Sequence, residues 1–264
     1  MVIRFGRHLD DFERDRFASQ FNAPDLPIPR VTEVGPAFGA WYAISTRAHG
    51  TPLEELGDDE WDATLPSLFR TLDALRSTDI SATSGFGIWE GTGVAPYPSW
   101  LGYLASVNDD PPGHRNHGWM RALRESSVGD ASFLRGYDQM TSLARDLPTV
   151  RHLVHNDLLY RNALAADGRI AGLFDWGCSI FGDFVYELAL MVFWSPWYPS
   201  LDRLGLLDRA RAHYAATSLT VERFDDRFRC CAIHIGLAHV GFNALRGNER
   251  DLVMTSERLV EFLV

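Results

Sequence analysis

The residues of this chain most able to do chemistry lie in one short stretch, His155-Asn156-Asp157-Leu158-Leu159-Tyr160-Arg161-Asn162, and in Asp175, thirteen residues beyond it. The stretch has the pattern H-x-D-x-x-x-x-N. One carboxylate can accept the proton of an attacking hydroxyl, while an amide oxygen and a second carboxylate can hold Mg²⁺ on a triphosphate. Asp157, Asn162 and Asp175 therefore indicate a phosphoryl-transfer site.

A hairpin could bring these groups together. Asp167-Gly168 lies between two apolar runs and is a strong signal for a two-residue turn. If those residues form the turn, Asn162 lies opposite Leu173 and Asp175 lies on the diagonal, roughly 7–8 Å away between backbones. Two oxygen-bearing side chains at that separation can share one Mg²⁺ ion.

Each of these residues also has a simpler interpretation when taken alone. A His-x-Asp pair often makes only a local hydrogen bond, Asn162 could be a turn residue, and Asp175 could cap the next element. The combination of His155, Asp157, Asn162, a hairpin and an aspartate after an apolar strand is more specific. It favours a kinase-like catalytic loop over coincidence.

Composition narrows the class of protein. The 264 residues carry a formal net charge of −10, which makes nucleic-acid binding through a basic surface an unfavourable hypothesis. An acidic surface would favour a small cationic substrate, although many cytosolic proteins are equally acidic. Hydrophobic content of 46% is ordinary for a globular protein. We expect a monomer.

Cysteine usage and hydropathy favour the cytoplasm. Cys178, Cys230 and Cys231 form no disulfide framework and no zinc motif. The N-terminal residues contain no apolar stretch typical of a signal peptide. The longest apolar runs, at 188–194 and 233–242, are shorter than the ~20 residues that a membrane span needs. They predict buried core helices rather than membrane association.

The order of predicted elements indicates two lobes, an N-terminal one over residues 1–46 and a helical one over 47–264 with a catalytic hairpin segment at 150–176. The N-terminal lobe is predicted to contain a strand at 2–5, a helix at 9–21, and strands at 31–34 and 41–45 that turn around Gly35-Pro36. A helix follows from Asp58 to Ser77, and Pro66 predicts that it starts late or kinks.

Several segments resemble the aminoglycoside phosphotransferase family, which has a protein-kinase-like fold. They are Leu26-Pro27-Ile28-Pro29, Thr83-Ser84-Gly85-Phe86-Gly87, residues 150–155, Gly168-Arg169-Ile170, Phe181-Gly182-Asp183 and Phe193-Trp194-Ser195-Pro196-Trp197. The resemblance covers most of the chain, and the last segment indicates the hygromycin-type branch. It implies an α+β fold with a shortened N-terminal antiparallel sheet lobe and a mainly helical C-terminal lobe.

The resemblance also implies roles for residues of the catalytic segment. Asp157 matches the catalytic aspartate that orients or deprotonates the substrate hydroxyl. Asn162 and Asp175 match the ligands of Mg²⁺. His155 and Asp183 match residues that hold the catalytic loop in place.

Nucleotide-binding roles follow from the same resemblance. Arg4 occupies the position of the cation that pairs with the α- and β-phosphates, where most relatives have Lys. Glu13 is expected to be its partner on the first helix, with Asp10 and Asp11 as competitors. Backbone groups near Thr46, Arg47 and Ala48 are expected to bind adenine. The expected nucleotide is ATP, and GTP is not excluded.

The acceptor side has weaker candidates. Trp194 and Trp197 could form an aromatic wall of the acceptor site or simply belong to the core, and Glu187 could contact the substrate. The implied acceptor is an aminoglycoside or aminocyclitol antibiotic such as hygromycin B. A macrolide, amino alcohol or sugar kinase of the same fold is the alternative, and a metal-dependent hydrolase is a more remote one.

One departure from the family pattern concerns the N-terminal lobe. The family normally has two or more strands, and a loop over the triphosphate, before the phosphate-binding cation, whereas that cation is residue 4 here. We therefore expect a sheet of about three strands with an unpaired edge. A non-catalytic, N-terminally truncated relative remains an alternative at this point.

Overall fold

The computed structural model describes residues 1–113 and 116–263. Its strands are β1 (Val2–Gly6), β2 (Val31–Ala37), β3 (Ala40–Ser45), β4 (Thr51–Pro52), β5 (Gly87–Ile88), β6 (His152–Val154), β7 (Ala163–Ala166), β8 (Arg169–Leu173) and β9 (Ile180–Gly182). Its helices are α1 (Leu9–Ala18), α2 (Asp58–Ser77), α3 (Trp100–Ala105), α4 (Trp119–Glu125), α5 (Ala131–Arg145), α6 (Val185–Trp194), α7 (Pro199–Asp202), α8 (Leu206–Ala216), α9 (Phe224–Arg246) and α10 (Glu249–Glu261).

The chain forms two compact units. The first comprises Met1–Pro98 and Val150–Thr220 and contains all nine strands; the second comprises Ser99–Thr149 and Val221–Val264 and contains helices only among its described residues. All residues predicted to form the site belong to the first unit. The division at residue 46 stays a prediction.

A three-stranded antiparallel sheet in the order β1-β3-β2 opens the first unit. The predicted turn at Gly35-Pro36 is wrong, because both residues pair within β2 and the chain reverses at Phe38-Gly39. Both of those residues have positive φ, 51° and 74°, which suits a tight hairpin turn. Pro36 is tolerated because β2 is an edge strand.

Helix α1 packs one face against this sheet. Phe12, Asp15 and Ala18, at helical spacing, are its buried residues. Phe12 forms a small core with Val31 and Ala43 of β2 and β3. The α-helix ends at Ala18 and a 3₁₀ turn continues to Phe21, so the predicted segment 9–21 is helical with a tightened last turn.

The predicted hairpin forms between β7 and β8, and β4 pairs with the outer side of β7. The turn lies at Asp167-Gly168 as expected, but a bulge between Leu164 and Ala165 shifts the register by one residue. Leu173 therefore pairs with Ala163, so the prediction that it lies opposite Asn162 is wrong. One extra residue in β8 is enough to produce this shift.

Helix α2 supports the hairpin from one side, and Ser67 Oγ accepts a hydrogen bond from the Ile170 N–H at 3.0 Å. The helix begins at Asp58 and runs to Ser77, so the late start predicted from Pro66 is wrong, and the alternative of a kink stays a prediction. Pro66 and Asp62, whose carbonyl loses its helical N–H partner, both lie on the exposed face. Water can therefore hydrate that carbonyl.

Helix α6 follows the third sheet, which has the order β5-β9-β6. All but one of its ten residues are buried, as expected for the apolar run at 188–194. In the second unit, α9 contains the other apolar run. It is long and apolar enough to cross a membrane by length and composition, but 72% of its most apolar window is buried within the protein.

Candidate active site

The loop between β6 and β7 has an unusual backbone. Asn156, Tyr160 and Arg161 have positive φ values of 63°, 60° and 69°, and Asp175 after β8 has a φ of 63°. Such conformations are costly for residues other than glycine and occur most often at functional sites. The strain is concentrated around the residues that the sequence singles out for chemistry.

Asp157 and Asn162 are joined directly. The Asn162 amide donates hydrogen bonds to the Asp157 backbone oxygen at 2.9 Å and to its Oδ2 at 2.8 Å. Because Nδ2 makes both bonds, the amide oxygen of Asn162 is available as a ligand for a cation. Asn162 is buried and Asp157 is half-buried.

The Asp157 carboxyl lies in a negative environment. Burial is the largest cause that raises its pKa, the charges of Asp175 and Glu187 raise it further, and the value reaches about 8. The hydrogen bond from Asn162 works in the opposite direction. This concentration of carboxylates is destabilising unless a cation compensates it.

Asp175 is placed next to this pair by the end of the hairpin. The Phe174 N–H donates to the Asn162 carbonyl at 3.0 Å, which continues the hairpin beyond β8. Asp175 then takes its left-handed conformation and begins a 3₁₀ turn at Trp176–Cys178. Its side chain is exposed rather than packed in the core.

His155 holds the loop against this segment. It is fully buried, and its Nε2–H donates to the Phe174 carbonyl at 3.1 Å. Its ring packs edge-on against Trp176, with 4.6 Å between centroids. Burial lowers its pKa to about 4, so the ring is neutral at physiological pH and has no charge to contribute to catalysis.

Glu187 supports the loop from α6. It is 2% exposed, and its Oε2 accepts a hydrogen bond from the Asn156 N–H at 2.6 Å. Burial raises its pKa to about 7, although bonds from backbone N–H groups of the loop oppose that rise. These contacts hold the loop in place, and the contact of Glu187 with a substrate stays a prediction. Asp183 is also buried, and its Oδ1 accepts from the Val185 N–H at the start of α6.

The predicted partner of Arg4 needs correction. Arg4 forms an ion pair with Asp15, whereas Glu13 lies on another face of α1 and pairs with Arg16 at 3.8 Å. Asp15 is 4% exposed, and its Oδ1 also accepts a hydrogen bond from the Trp176 N–H at 2.8 Å. It therefore links the cation on β1 to the residue directly after Asp175.

Asp15 could have been found by helical periodicity. It lies three residues after the core residue Phe12, whereas Asp10 and Glu13 are off that face and Asp11, which shares it, pairs with Arg14 instead. Burial raises the pKa of Asp15, while Arg4 and the Trp176 N–H lower it. The ion pair with Arg4 and the hydrogen bond from the Trp176 N–H therefore hold the buried Asp15 carboxylate in one position.

A cleft of about 260 Å³ begins at this ion pair. It is lined by Val2, Arg4, Asp15, Ile28, Pro29, Val31, Ser45, Thr46, Arg47, Ala48, Leu164, Leu173, Phe174 and Trp176. The predicted phosphate-binding and adenine-binding residues thus line one cavity. Most of the wall is apolar, which suits a planar ring, and its charged residues are the Arg4–Asp15 ion pair and Arg47.

Aromatic residues flank the other side of the loop. Trp194 is 8% exposed and contacts Tyr160 and Trp197, with ring centroids 6.1 and 5.1 Å apart. Tyr160 is half exposed and belongs to the catalytic loop itself. Trp194 is therefore largely a core residue, whereas Trp197 is only partly buried.

The donor set fits a nucleotide-bound magnesium ion. Asn162 offers an amide oxygen, and Asp175 offers an exposed carboxylate next to it. Mg²⁺ prefers such oxygen ligands and commonly takes one or two from protein. The raised pKa of Asp157 also indicates uncompensated negative charge at this point.

Comparisons with known proteins agree with this geometry. The sequence profile of the phosphotransferase enzyme family matches residues 9–219. Hygromycin-B 4-O-kinase of Escherichia coli is 32% identical over 259 residues, which cover 97% of this chain and 72% of that protein.

Solved structures show the same fold. A thermostable mutant of aminoglycoside phosphotransferase APH(4)-Ia, in ternary complex with AMP-PNP and hygromycin B, matches with a TM-score of 0.85 and 31% identity over 99% of this chain and 85% of that one. Aminoglycoside 2'-phosphotransferase-IIIa, as its GDP complex, matches with a TM-score of 0.60 at 12% identity, over 99% and 85% of the two chains. The expected kinase-like fold is confirmed, and the chain belongs to the phosphotransferase enzyme family.

Proposed function

We propose that this protein is an ATP-dependent O-phosphotransferase that transfers the γ-phosphate to a hydroxyl of an aminoglycoside such as hygromycin B. The observation that carries the proposal is the cluster of Asp157, Asn162 and Asp175. Asp157 and Asn162 are joined by a 2.8 Å hydrogen bond, and the Asp175 carboxylate is close enough to raise the pKa of Asp157. Phosphoryl transfer depends mainly on such positioning and on charge stabilisation.

Asp157 is the group that receives the acceptor hydroxyl. Its Oδ2 is fixed by Asn162, so the carboxylate has a defined direction in which to accept the hydroxyl proton. Mg²⁺ held by Asn162 and Asp175 would neutralise charge on the triphosphate when bound. Glu187 and His155 keep the loop in place and do not touch the reacting atoms.

The nucleotide occupies the cleft that begins at Arg4. Its guanidinium, oriented by Asp15, pairs with the phosphates, and the apolar walls enclose adenine. The Thr46 N–H donates to the Arg30 carbonyl at 3.0 Å, so we assign the adenine edge to backbone groups of Arg47 and Ala48. The same backbone groups could bind guanine, and a nucleotide competition assay decides between ATP and GTP.

The acceptor is a cationic, hydroxylated small molecule. The net charge of −10 supports this class, as do the hygromycin-directed activity and the bound hygromycin B named for two relatives. Trp194 and Trp197 lie beside the catalytic loop, where a sugar ring could pack on an aromatic face. The proposal includes a cytoplasmic monomer.

Nucleotide binding is the first test. Isothermal calorimetry of the purified chain with Mg·ATP should give a Kd in the micromolar to sub-millimolar range, and Asp175→Asn should weaken it because one charged ligand is lost. A folded protein that binds no Mg·ATP would contradict the proposal.

Turnover is the second test. A panel of aminoglycosides, macrolides, amino alcohols and sugars, with mass detection of the products, should show phosphorylation of hygromycin B or a close aminoglycoside. Asp157→Ala should lower kcat by about 10²–10⁴-fold and leave Mg·ATP binding nearly unchanged. Equal turnover in the two proteins would exclude the role assigned to Asp157.

A further inference from the structure

Glu54 lies beside the catalytic loop although nothing in its sequence context marks it. Strand β4 pairs with β7 so that Thr51 faces Ala165 and Pro52 faces Leu164. The chain then enters a 3₁₀ turn at Leu53–Glu55. If the antiparallel count continues past the strand, Glu54 falls opposite Asn162 and Glu55 falls opposite Arg161.

An ion pair supports this register. Arg161 Nη1 contacts Glu55 Oε1 at 2.7 Å, which is the contact that the continued count predicts. Adjacent glutamates thus have different surroundings. Glu55 is exposed and paired with an arginine, whereas Glu54 is partly buried on the side of the catalytic loop.

The Glu54 carboxylate is incompletely satisfied. Its Oε2 is shielded from solvent and has no hydrogen-bond partner within the described residues. A buried carboxylate oxygen without a donor is costly, so a ligand group, an ion or a water that supplies the partner is favoured there.

The charge of Glu54 acts on both Asp157 and Tyr198. It is among the charges that raise the pKa of Asp157, after burial, Asp175 and Glu187. Burial raises the pKa of Tyr198, and the charges of Glu54 and then Asp157 add to that rise. Asp157, Tyr198 and Glu54 therefore share one electrostatic environment.

We infer that Glu54 is a specificity-determining residue whose carboxylate binds an ammonium group of the acceptor while the neighbouring hydroxyl faces Asp157. This inference rests on the proposed function. An ammonium group donates the missing hydrogen bond to Oε2, and it also compensates the local negative charge. The site therefore selects amino sugars and aminocyclitols over neutral sugars.

The test compares Glu54→Gln with Glu55→Gln as a matched neighbour. Glu54→Gln should raise KM for the aminoglycoside about 10- to 100-fold, the loss of one charge-assisted hydrogen bond, with KM for Mg·ATP within twofold of wild type. It should also reduce the rise of that KM with added NaCl, which a purely structural defect would not do. Glu55→Gln should leave both KM values near those of wild type. Glu54→Asp, which restores the charge, should recover part of the affinity.

The outcomes separate the two proposals. If wild type phosphorylates an aminoglycoside and Glu54→Gln has an unchanged KM and salt dependence, the inference about Glu54 is wrong and the proposed function stands. If wild type phosphorylates only uncharged acceptors, the inference is equally wrong. If wild type binds no Mg·ATP and phosphorylates nothing, both fail together. Thermal melts of all variants verify that each is folded.

Discussion

At the scale of single residues, Asp15 connects two parts of the nucleotide site. It pairs with Arg4 and accepts the Trp176 N–H at 2.8 Å, one residue after Asp175. An interaction with either group alone would orient one side of the cleft. With both, the proposed phosphate-binding cation Arg4 and the proposed metal ligand Asp175 keep a fixed relation.

Asp15→Asn should therefore weaken Mg·ATP binding by about tenfold and lower the free energy of unfolding by up to about 3 kcal/mol, because Arg4 loses a buried charged partner. Calorimetry and urea denaturation measure the two effects. The matched variant is Glu13→Gln, which lies on the same helix but pairs with exposed Arg16. Equal weakening by the two variants would contradict the assignment of Asp15 as the partner.

His155 gives a prediction about pH. Its pKa of about 4 in the folded protein is below the ordinary 6.5, so the unfolded state binds a proton that the folded state rejects. The free energy of unfolding is therefore highest above pH 6.5, and it falls as the pH falls toward 4. The total loss is about 3 kcal/mol.

His155→Gln should remove this component, so the variant should lose about 3 kcal/mol less than wild type between pH 7 and pH 4 in denaturation experiments. His234 and His239, whose pKa values are also lowered, remain in both proteins and do not affect the difference. Exposed His49→Gln serves as the control. The same pH profile in wild type and His155→Gln would show that the buried ring is not the cause.

At the scale of elements, the hairpin is joined to the nucleotide cleft by a close contact. A Cβ built on Gly172 of β8 would lie 2.5 Å from the Cβ of Ala48, a cleft-lining residue. This distance is too short for two carbon atoms. Only glycine at position 172 therefore allows the chain at Ala48 to lie where it does.

Gly172→Ala should displace the Ala48 segment and raise the Kd for Mg·ATP several-fold, with a loss of stability of about 1–3 kcal/mol from overpacking. Adding Ala48→Gly removes the opposing carbon and should restore binding. A double variant as weak as the single one would indicate that the hairpin itself, not the contact, is disturbed.

The sequence predicts elements better than it predicts their register. Asp167-Gly168 identified the turn of the catalytic hairpin, since few dipeptides suit that conformation so well. The bulge between Leu164 and Ala165 has no comparable local signal, and it lies where β7 also pairs with β4, a strand distant in the chain. The continuity of α2 through Pro66 likewise depends on which face of the helix meets solvent.

At the scale of the whole molecule, the charge balance should influence acceptor capture. A protein of net charge −10 attracts a polycationic acceptor and repels a nucleoside triphosphate. Between about 50 and 300 mM NaCl, kcat/KM for an aminoglycoside should fall by roughly tenfold, while kcat/KM for Mg·ATP should not fall. Steady-state kinetics at constant pH test this. A parallel loss for both substrates would indicate a general salt effect on the protein.

The site residues differ in how much their positions depend on tertiary structure. Asp157, Asn162 and Asp175 were identified from spacing along the chain, because a loop and a hairpin bring them together locally. Asp15 reaches the segment after the hairpin from α1, and Glu54 lies beside the catalytic loop after β4, so both come from distant parts of the chain. Their positions depend on strand pairing and helix docking, which spacing alone does not encode.

The side chains that hold the catalytic loop and the segment at 174–176 in place predict where suppressor mutations can arise. Asp15, His155 and Glu187 each bind a backbone atom, of Trp176, Phe174 and Asn156 respectively. A lost support cannot be replaced by a complementary side chain at the partner position, because the partner contributes a backbone atom and not its side chain. In a selection for antibiotic-resistant revertants, intragenic suppressors of changes at these three residues should therefore arise at the same codon or among packing neighbours, and not at positions 156, 174 or 176.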